Sequence, residues 1–299
     1  MLLLLVAGQS SLIAQDEFNL GHWPDSLSKT RMRTTMAASA GVYTSGVSFL
    51  GFWWYRDHER EPFHFYNDNA GWLQMDKAAH AFFAYYESFY FYRALRWSGM
   101  KRKKAILYSV PAGILMQTPI EIFDGLYEGY GFSVGDMYAN AAGPVLFGIQ
   151  EWAFQDQVAK MKFSWQPSGY RQYRPGTLGE TDFESFFLDY NAQTYWLSIH
   201  LQKTVPVKAI PGWLNLAVGY SGNWMLGEFD NPEQSRGVRL PDEERYRQWL
   251  FSLDVDLWKI KTRRKGLRAV FQQLNVLKVP FPTVEFNTKQ GWRFHPVYW

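Results

Sequence analysis

Apolar and polar positions divide the chain into two regimes. Up to about residue 150, uncharged stretches recur at helical length: twenty residues at 36–55, sixteen at 105–120 and fourteen at 137–150. A shorter apolar run at 78–86 is broken by Glu87. After about residue 190 the period drops to two. Tyr195, Leu197, Ile199 and Leu201 alternate with Trp196, Ser198, His200 and Gln202, and similar alternation runs from Leu214 to Ser221 and from Trp249 to Leu257. The first regime predicts helices and the second predicts strands. Residues 263–277 return to an amphipathic helical spacing. Between the regimes, Pro167, Gly169, Pro175, Gly176 and Gly179 mark turns. The predicted class is therefore α+β. A compact N-terminal bundle of about four membrane-associated helices (30–158) precedes a linker (159–190) and a small antiparallel β-rich part with one amphipathic helix (191–299).

The helical segments carry polar lines that apolar helices do not keep without cost. At about 100° per residue, Asp76, His80 and Glu87 share one face of the first such helix. Gln117, Glu121, Asp124 and Glu128 align on the next, and Asp136, Asn140, Gly143 and Phe147 on the third. Three such lines on neighbouring helices can point at one centre. A carboxylate there must be paired, protonated or metal-bound. Bland explanations stand beside this. Thr118-Pro-Ile-Glu121 and Ser133-Val-Gly-Asp136 both read as capping boxes, and Asp76 suits the first turn of a helix. Capping does not account for His80, Asp124 and Asn140 together. Pro144 frees the carbonyl of Asn140, four residues earlier.

Two further stretches bear on location. The opening L-L-L-L-V-A-G, ending near Ala14-Gln15, reads as a signal peptide over residues 1–15, which implies export. The stretch 36–55 is long enough to cross a bilayer, yet Ala37, Gly41 and Ser45 form a small-residue face suited to close helix packing. Both readings stay open.

Composition narrows the classes. Aromatic residues make up 18% of the 299 residues, a bias that suits membrane interfaces. The mean hydropathy of −0.30 argues against a chain made mostly of spans. A net charge of +3 gives no reason to invoke nucleic acid. With no cysteine there is no disulfide, thiol nucleophile, cysteine-held cluster or lipidated thiol. Phosphate-binding loops and H-E-x-x-H are missing. The basic cluster Lys259, Lys261, Arg263, Arg264, Lys265 and Arg268 suits either a solvated face or anionic lipid.

The motifs D-K-x-x-H at Asp76–His80, E-x-x-D at Glu121–Asp124 and S-x-x-D-x-x-x-N-x-x-G at Ser133–Gly143 occur in that order. The set resembles VanZ-like membrane proteins, and more closely the YfiM-type family of uncharacterised bacterial envelope proteins, including its longer Bacteroidetes-type members. The resemblance covers about residues 70–155 and implies an envelope location. It implies no particular reaction.

Three functions follow as expectations. The first is an exported envelope protein, on the periplasmic side and associated with a membrane, the outer preferred over the inner. Its buried centre would be structural or would serve a lipid or an envelope-protein partner. The second is a hydrolase using Asp76, His80, Glu121, Asp124 and Asp136 as acid, base or metal ligands. The third is an outer-membrane component with embedded strands. Lys77, Glu87, Ser133 and Asn140 are the candidate binding residues. No cofactor is evident, and a divalent metal on His80, Asp124 and Asp136 stays open.

Overall fold

The computed structural model describes residues 23–24, 26–56, 58–204 and 210–299. The expected signal peptide lies outside them. The chain forms two compact units. One comprises residues up to Asp68 together with His80–Gln157, the other Asn69–Ala79 and Val158–Trp299.

The first unit is helical. Helix α1, Lys29–Phe49, starts at the N-cap Ser28, whose side chain accepts from Arg31 N. It runs on through a π-helical turn, Leu50–Trp54. Helices α2 (Met75–Trp97), α3 (Arg102–Asp124) and α4 (Val134–Phe154) complete the set. Helix α2 is the axis: Phe82, Tyr85, Tyr86, Phe89, Tyr92 and Leu95 are all buried. That explains its aromatic monotony, since a helix apolar on most of its faces must be enclosed. Glycines let its neighbours close in. A Cβ on Gly113 of α3 would meet the Ala84 carbonyl at 2.7 Å, and one on Gly143 of α4 would meet the Ala81 carbonyl at 2.0 Å. Residues 36–54 fall in α1 and the π turn, and Tyr55 caps it. Among the described residues, the helix long and apolar enough to cross a membrane is α3, with a third of its apolar window buried.

Helix α3 corrects one sequence expectation. It runs unbroken through Pro111 and Pro119, so Thr118 caps nothing. Its hydroxyl instead donates to the Ile114 carbonyl at 2.9 Å. The helix ends at Asp124, so Glu128 sits beyond it, exposed.

The second unit is built on one antiparallel sheet. Strands β1 (Ala159–Trp165), β2 (Gln193–His200), β3 (Leu214–Asn223), β4 (Tyr246–Val255), β5 (Phe281–Asn287) and β6 (Gly291–Tyr298) follow one another in a meander. Helix α5, Lys265–Leu274, lies between β4 and β5. The sheet has six strands, of which β2, β3 and β4 carry the three alternating runs read from the sequence. Residues 159–190, expected as a linker, contain β1 and two short helices, Pro175–Leu178 and Asp182–Leu188. Residues 69–79 belong to this unit. Trp72, Leu73 and Gln74 all take positive φ there, unusual for side chains of that size. The turn is held because Trp72 N donates to the Glu228 carbonyl at 2.7 Å and Arg247 donates to the Leu73 carbonyl at 2.9 Å.

Candidate functional site

Helices α2, α3 and α4 bring their polar lines together. His80 on α2 donates from Nδ1 to Asn140 Oδ1 on α4 at 3.0 Å. The same nitrogen lies 3.6 Å from Glu121 Oε1 on α3, and Nε2 faces Asp136 Oδ1 at 4.0 Å. Side-chain exposure is 11% for His80, 4% for Asp136 and zero for Glu121. The backbone of Asn140 is one turn of helix after Asp136, so a single histidine ring reads both residues.

The capping chemistry of α4 is divided between helices. Ser133 is the N-cap, its hydroxyl accepting from Asp136 N at 3.1 Å and donating to Asp68 Oδ1 at 2.6 Å. In an ordinary capping box the third helical residue would accept from the cap's own N–H. Here Glu121 of α3 does so, with Ser133 N donating to Glu121 Oε2 at 3.2 Å. Glu121 therefore ties the start of α4 to the last turns of α3 and faces His80 with its other oxygen.

Burial dominates the electrostatics. It pushes the Glu121 carboxyl up to about 8, with Asp136 and Asp124 adding to the rise and His80 opposing it. Glu87, two turns along α2 from His80, is likewise pushed up to about 8 by burial, against a hydrogen bond from Gln117 Nε2 at 2.7 Å. A carboxyl so raised keeps its proton at neutral pH.

Other candidates also bond to groups outside this set. Asp124 accepts from the Tyr55 hydroxyl at 2.5 Å. Tyr55 is buried and stacks on both Phe123 and Tyr127. Replacing Tyr55 with phenylalanine keeps the stacking and removes that bond. The expected loss is about 1–2 kcal/mol in urea unfolding, and a loss below about 0.3 kcal/mol would show that the bond contributes nothing. Asp76 and Lys77 fall in the other unit, where Asp76 Oδ1 accepts from the Tyr190 hydroxyl at 2.6 Å and Lys77 Nζ lies 3.4 Å from Asp76 Oδ2. The geometry thus gathers His80, Glu121, Asp136, Asn140 and Ser133, with Glu87 further along. It holds Asp124 through another partner.

Two polar groupings were not read from the sequence. At the far end of the bundle the Tyr92 hydroxyl donates to Glu151 Oε1 at 2.6 Å, and Gln157 Nε2 donates to Glu151 Oε2 at 3.3 Å. In the second unit, Lys162 Nζ lies 2.7 Å from Asp254 Oδ2, and Lys160 Nζ lies 2.6 Å from Asp256 Oδ2, all four side chains buried. The available signal was the spacing of two lysines on alternate residues of β1 against two aspartates on alternate residues at the end of β4.

Residues 64–149 match DUF2279, a family described as predicted periplasmic lipoprotein. The matched span contains His80, Glu121, Ser133, Asp136 and Asn140. It supports an uncharacterised bacterial envelope family and a periplasmic location. No curated protein and no solved structure matches the chain.

Proposed function

We propose that this is a membrane-associated envelope protein whose helical unit is a scaffold, with the His80 centre as the lock that fixes α2, α3 and α4. The observation that carries this reading is the closure of Glu121. Its side chain has no exposed surface, and its two oxygens face His80 and Ser133 N. A catalytic acid or base must reach a substrate, and a buried hydrogen-bond network specifies packing instead. The order of the three motifs supports the finer likeness to YfiM-type and VanZ-like proteins. Outward-facing Leu107 and Leu115 on α3, and Ile149 and Trp152 on α4, are exposed and supply an apolar surface for lipid or an envelope partner.

Thermal and urea unfolding of wild type, His80→Ala and Glu121→Gln, each with divalent metal and with chelator, tests the lock. His80→Ala is expected to lose about 1–3 kcal/mol, because the Asn140 amide oxygen is left buried without its donor. Metal should change no midpoint. A metal-dependent wild-type midpoint that vanishes in His80→Ala would replace the lock with a metal centre on the same residues.

The pH dependence has a defined sign. The Glu121 carboxyl is raised from its ordinary 4.5 to about 8 in the folded state. Between those values the folded protein holds a proton that the unfolded chain has released, so stability falls as pH rises through that window. Glutamine is neutral throughout. Glu121→Gln should match wild type near pH 5 and exceed it by roughly 4 kcal/mol near pH 8.5, since each pH unit crossed inside the window costs the wild type about 1.4 kcal/mol. Glu87 acts in the same direction, so some slope remains in the variant. Equal slopes in wild type and variant would mean Glu121 is ionised in the fold.

A further inference from the structure

The sheet of the second unit is inverted relative to a water-soluble one. An antiparallel sheet with one wet face normally turns its apolar side to the core and its polar side to water. Here Lys162, Ser198, Asn215, Asp254, Thr283 and Glu285 are at most 1% exposed on the inner side. The outer side presents Leu216, Phe251, Leu253, Phe286, Trp292 and Phe294, with Trp292 and Phe294 two-thirds exposed. The register carries this across the strands. Leu216 pairs with Leu253, Phe251 with Val284, Val284 with Phe294, and Phe286 with Trp292. The buried ion pairs fix the orientation, because turning the sheet over would strand them.

The outer face is also convex. Trp196 on β2 and Tyr298 on β6 are four places apart in the strand order, yet their rings meet on the inner side at 5.8 Å, and Thr194 Oγ1 lies 3.3 Å from Tyr298 Oη. The sheet therefore rolls around its polar side. Toward one end, Tyr220, Trp249, Phe286 and Trp292 form a row of rings with centroids 6.2, 6.0 and 5.1 Å apart. Beyond the other end, where β4 finishes, come Lys259, Lys261, Arg263, Arg264 and Lys265, then α5, which exposes Leu267, Val270 and Leu274.

We infer that the outer face of this sheet, together with α5, docks on an anionic phospholipid bilayer. Buried polar groups inside, around the small cluster of Trp196, Ala217 and Leu250, with an apolar outer side and a row of aromatics toward one end, is the partition of a sheet that meets acyl chains. A basic amphipathic helix with an unpartnered apolar stripe is the partition of an interfacial helix, and its cations complement lipid phosphates. The convexity decides between occupants. Fluid acyl chains conform to a convex wall, whereas a second copy of the same face would touch it along a line and leave most of it wet. This inference goes beyond the reading of the His80 centre and rests on different residues, so its failure leaves that reading standing.

The absence of native cysteine makes a local test direct. Phe251→Cys and Phe294→Cys, each carrying an environment-sensitive fluorophore on the full chain, are mixed with phosphatidylcholine vesicles with and without phosphatidylglycerol. Glu233→Cys, exposed in the β3–β4 connection, is the aqueous control. Both outer-face labels are expected to brighten several-fold on anionic vesicles and to be quenched by brominated acyl chains, while the control stays in water. Arg263→Glu combined with Arg264→Glu should weaken binding to anionic vesicles about tenfold or more. Labels that stay aqueous on vesicles while circular dichroism shows an intact fold would overturn the inference. So would brightening that tracks protein concentration without lipid, which would assign the face to a second copy. Brightening only on addition of an envelope protein fraction would assign it to a protein partner and equally sink it.

Discussion

Gly143→Ala is expected to cost the helical unit at least about 3 kcal/mol, more than an ordinary overpacking change. The added Cβ would sit 2.0 Å from the Ala81 carbonyl oxygen and 2.8 Å from Tyr85 N. Both are backbone atoms of α2, so no side chain can swing aside and the helices must part. Parting them lengthens the His80–Asn140 bond, one turn away along α4. Two other glycines calibrate the effect. A Cβ on Gly148, on the same helix, meets the end of the Val110 side chain at 2.6 Å. That atom can move, so Gly148→Ala should cost about 1 kcal/mol. A Cβ on Gly41 of α1 meets nothing within 4 Å, and Gly41→Ala should stabilise by about 0.5–1 kcal/mol through helix propensity. Urea unfolding read on the helical signal gives the ranking. A Gly143→Ala midpoint equal to that of Gly148→Ala would show that α2 and α4 do not approach this closely.

The faces of the helices were legible because helical geometry is local. His80, Asp136 and Asn140 could be placed on converging lines from spacing alone. The part of Glu121 was not legible. Thr118-Pro119 looks the same whether a helix begins there or passes through, and only the continuation of the preceding turn, where Thr118 bonds back to Ile114, separates the cases. Capping by a residue from another helix leaves no trace in local sequence, since Glu121 and Ser133 are joined only by the packing of α3 on α4. The strands show a different blindness. Period two marks a strand without saying which face is buried, and here the buried face carries most of the polar groups, around Trp196, Ala217 and Leu250. In β1, Lys160 and Lys162 alternate with Met161 and Phe163, and they read as a solvated turn until their aspartates, more than ninety residues later, are placed opposite. In β5 and β6, Pro282 and Pro296 interrupt runs whose inward residues are Thr283, Glu285 and His295, with Glu285 Oε2 2.6 Å from His295 Nε2. Proline inside a run argues against a central strand, which is why the outer strands of the sheet were undercounted.

That polar interior carries the other large expectation. Asp254→Ala should destabilise the second unit by about 3–5 kcal/mol, the usual consequence of leaving a buried charge without its partner. Asp254 serves several strands at once. Its Oδ2 faces Lys162 Nζ of β1 and accepts from Ser198 Oγ of β2 at 2.7 Å, and its Oδ1 accepts from Val279 N just before β5 at 3.1 Å. Ser198 in turn accepts from Asn215 Nδ2 of β3 at 2.9 Å. Burial already lowers the Lys162 ammonium from its ordinary range, and Asp254 opposes the shift. Removing the carboxylate takes away the main group opposing burial and leaves Asp256 against burial and Lys160. The lysine of the variant then holds its proton less well folded than unfolded, so the unfolded chain binds more protons and stability rises with pH up to the ordinary lysine range. A steeper rise between neutral pH and about 10 is therefore expected in Asp254→Ala than in wild type. Lys162→Met in the same chain removes the stranded charge. The double variant Lys162→Met, Asp254→Asn should recover most of the loss, because asparagine still accepts from Ser198 or Val279 and methionine fills the lysine's track between the strands. Denaturant unfolding of the three variants at neutral and alkaline pH measures all of this. If Asp254→Ala loses less than about 1 kcal/mol, or if the double variant is no more stable than that single one, the interior is wet enough to solvate Lys162 and the ion pair does not organise the sheet.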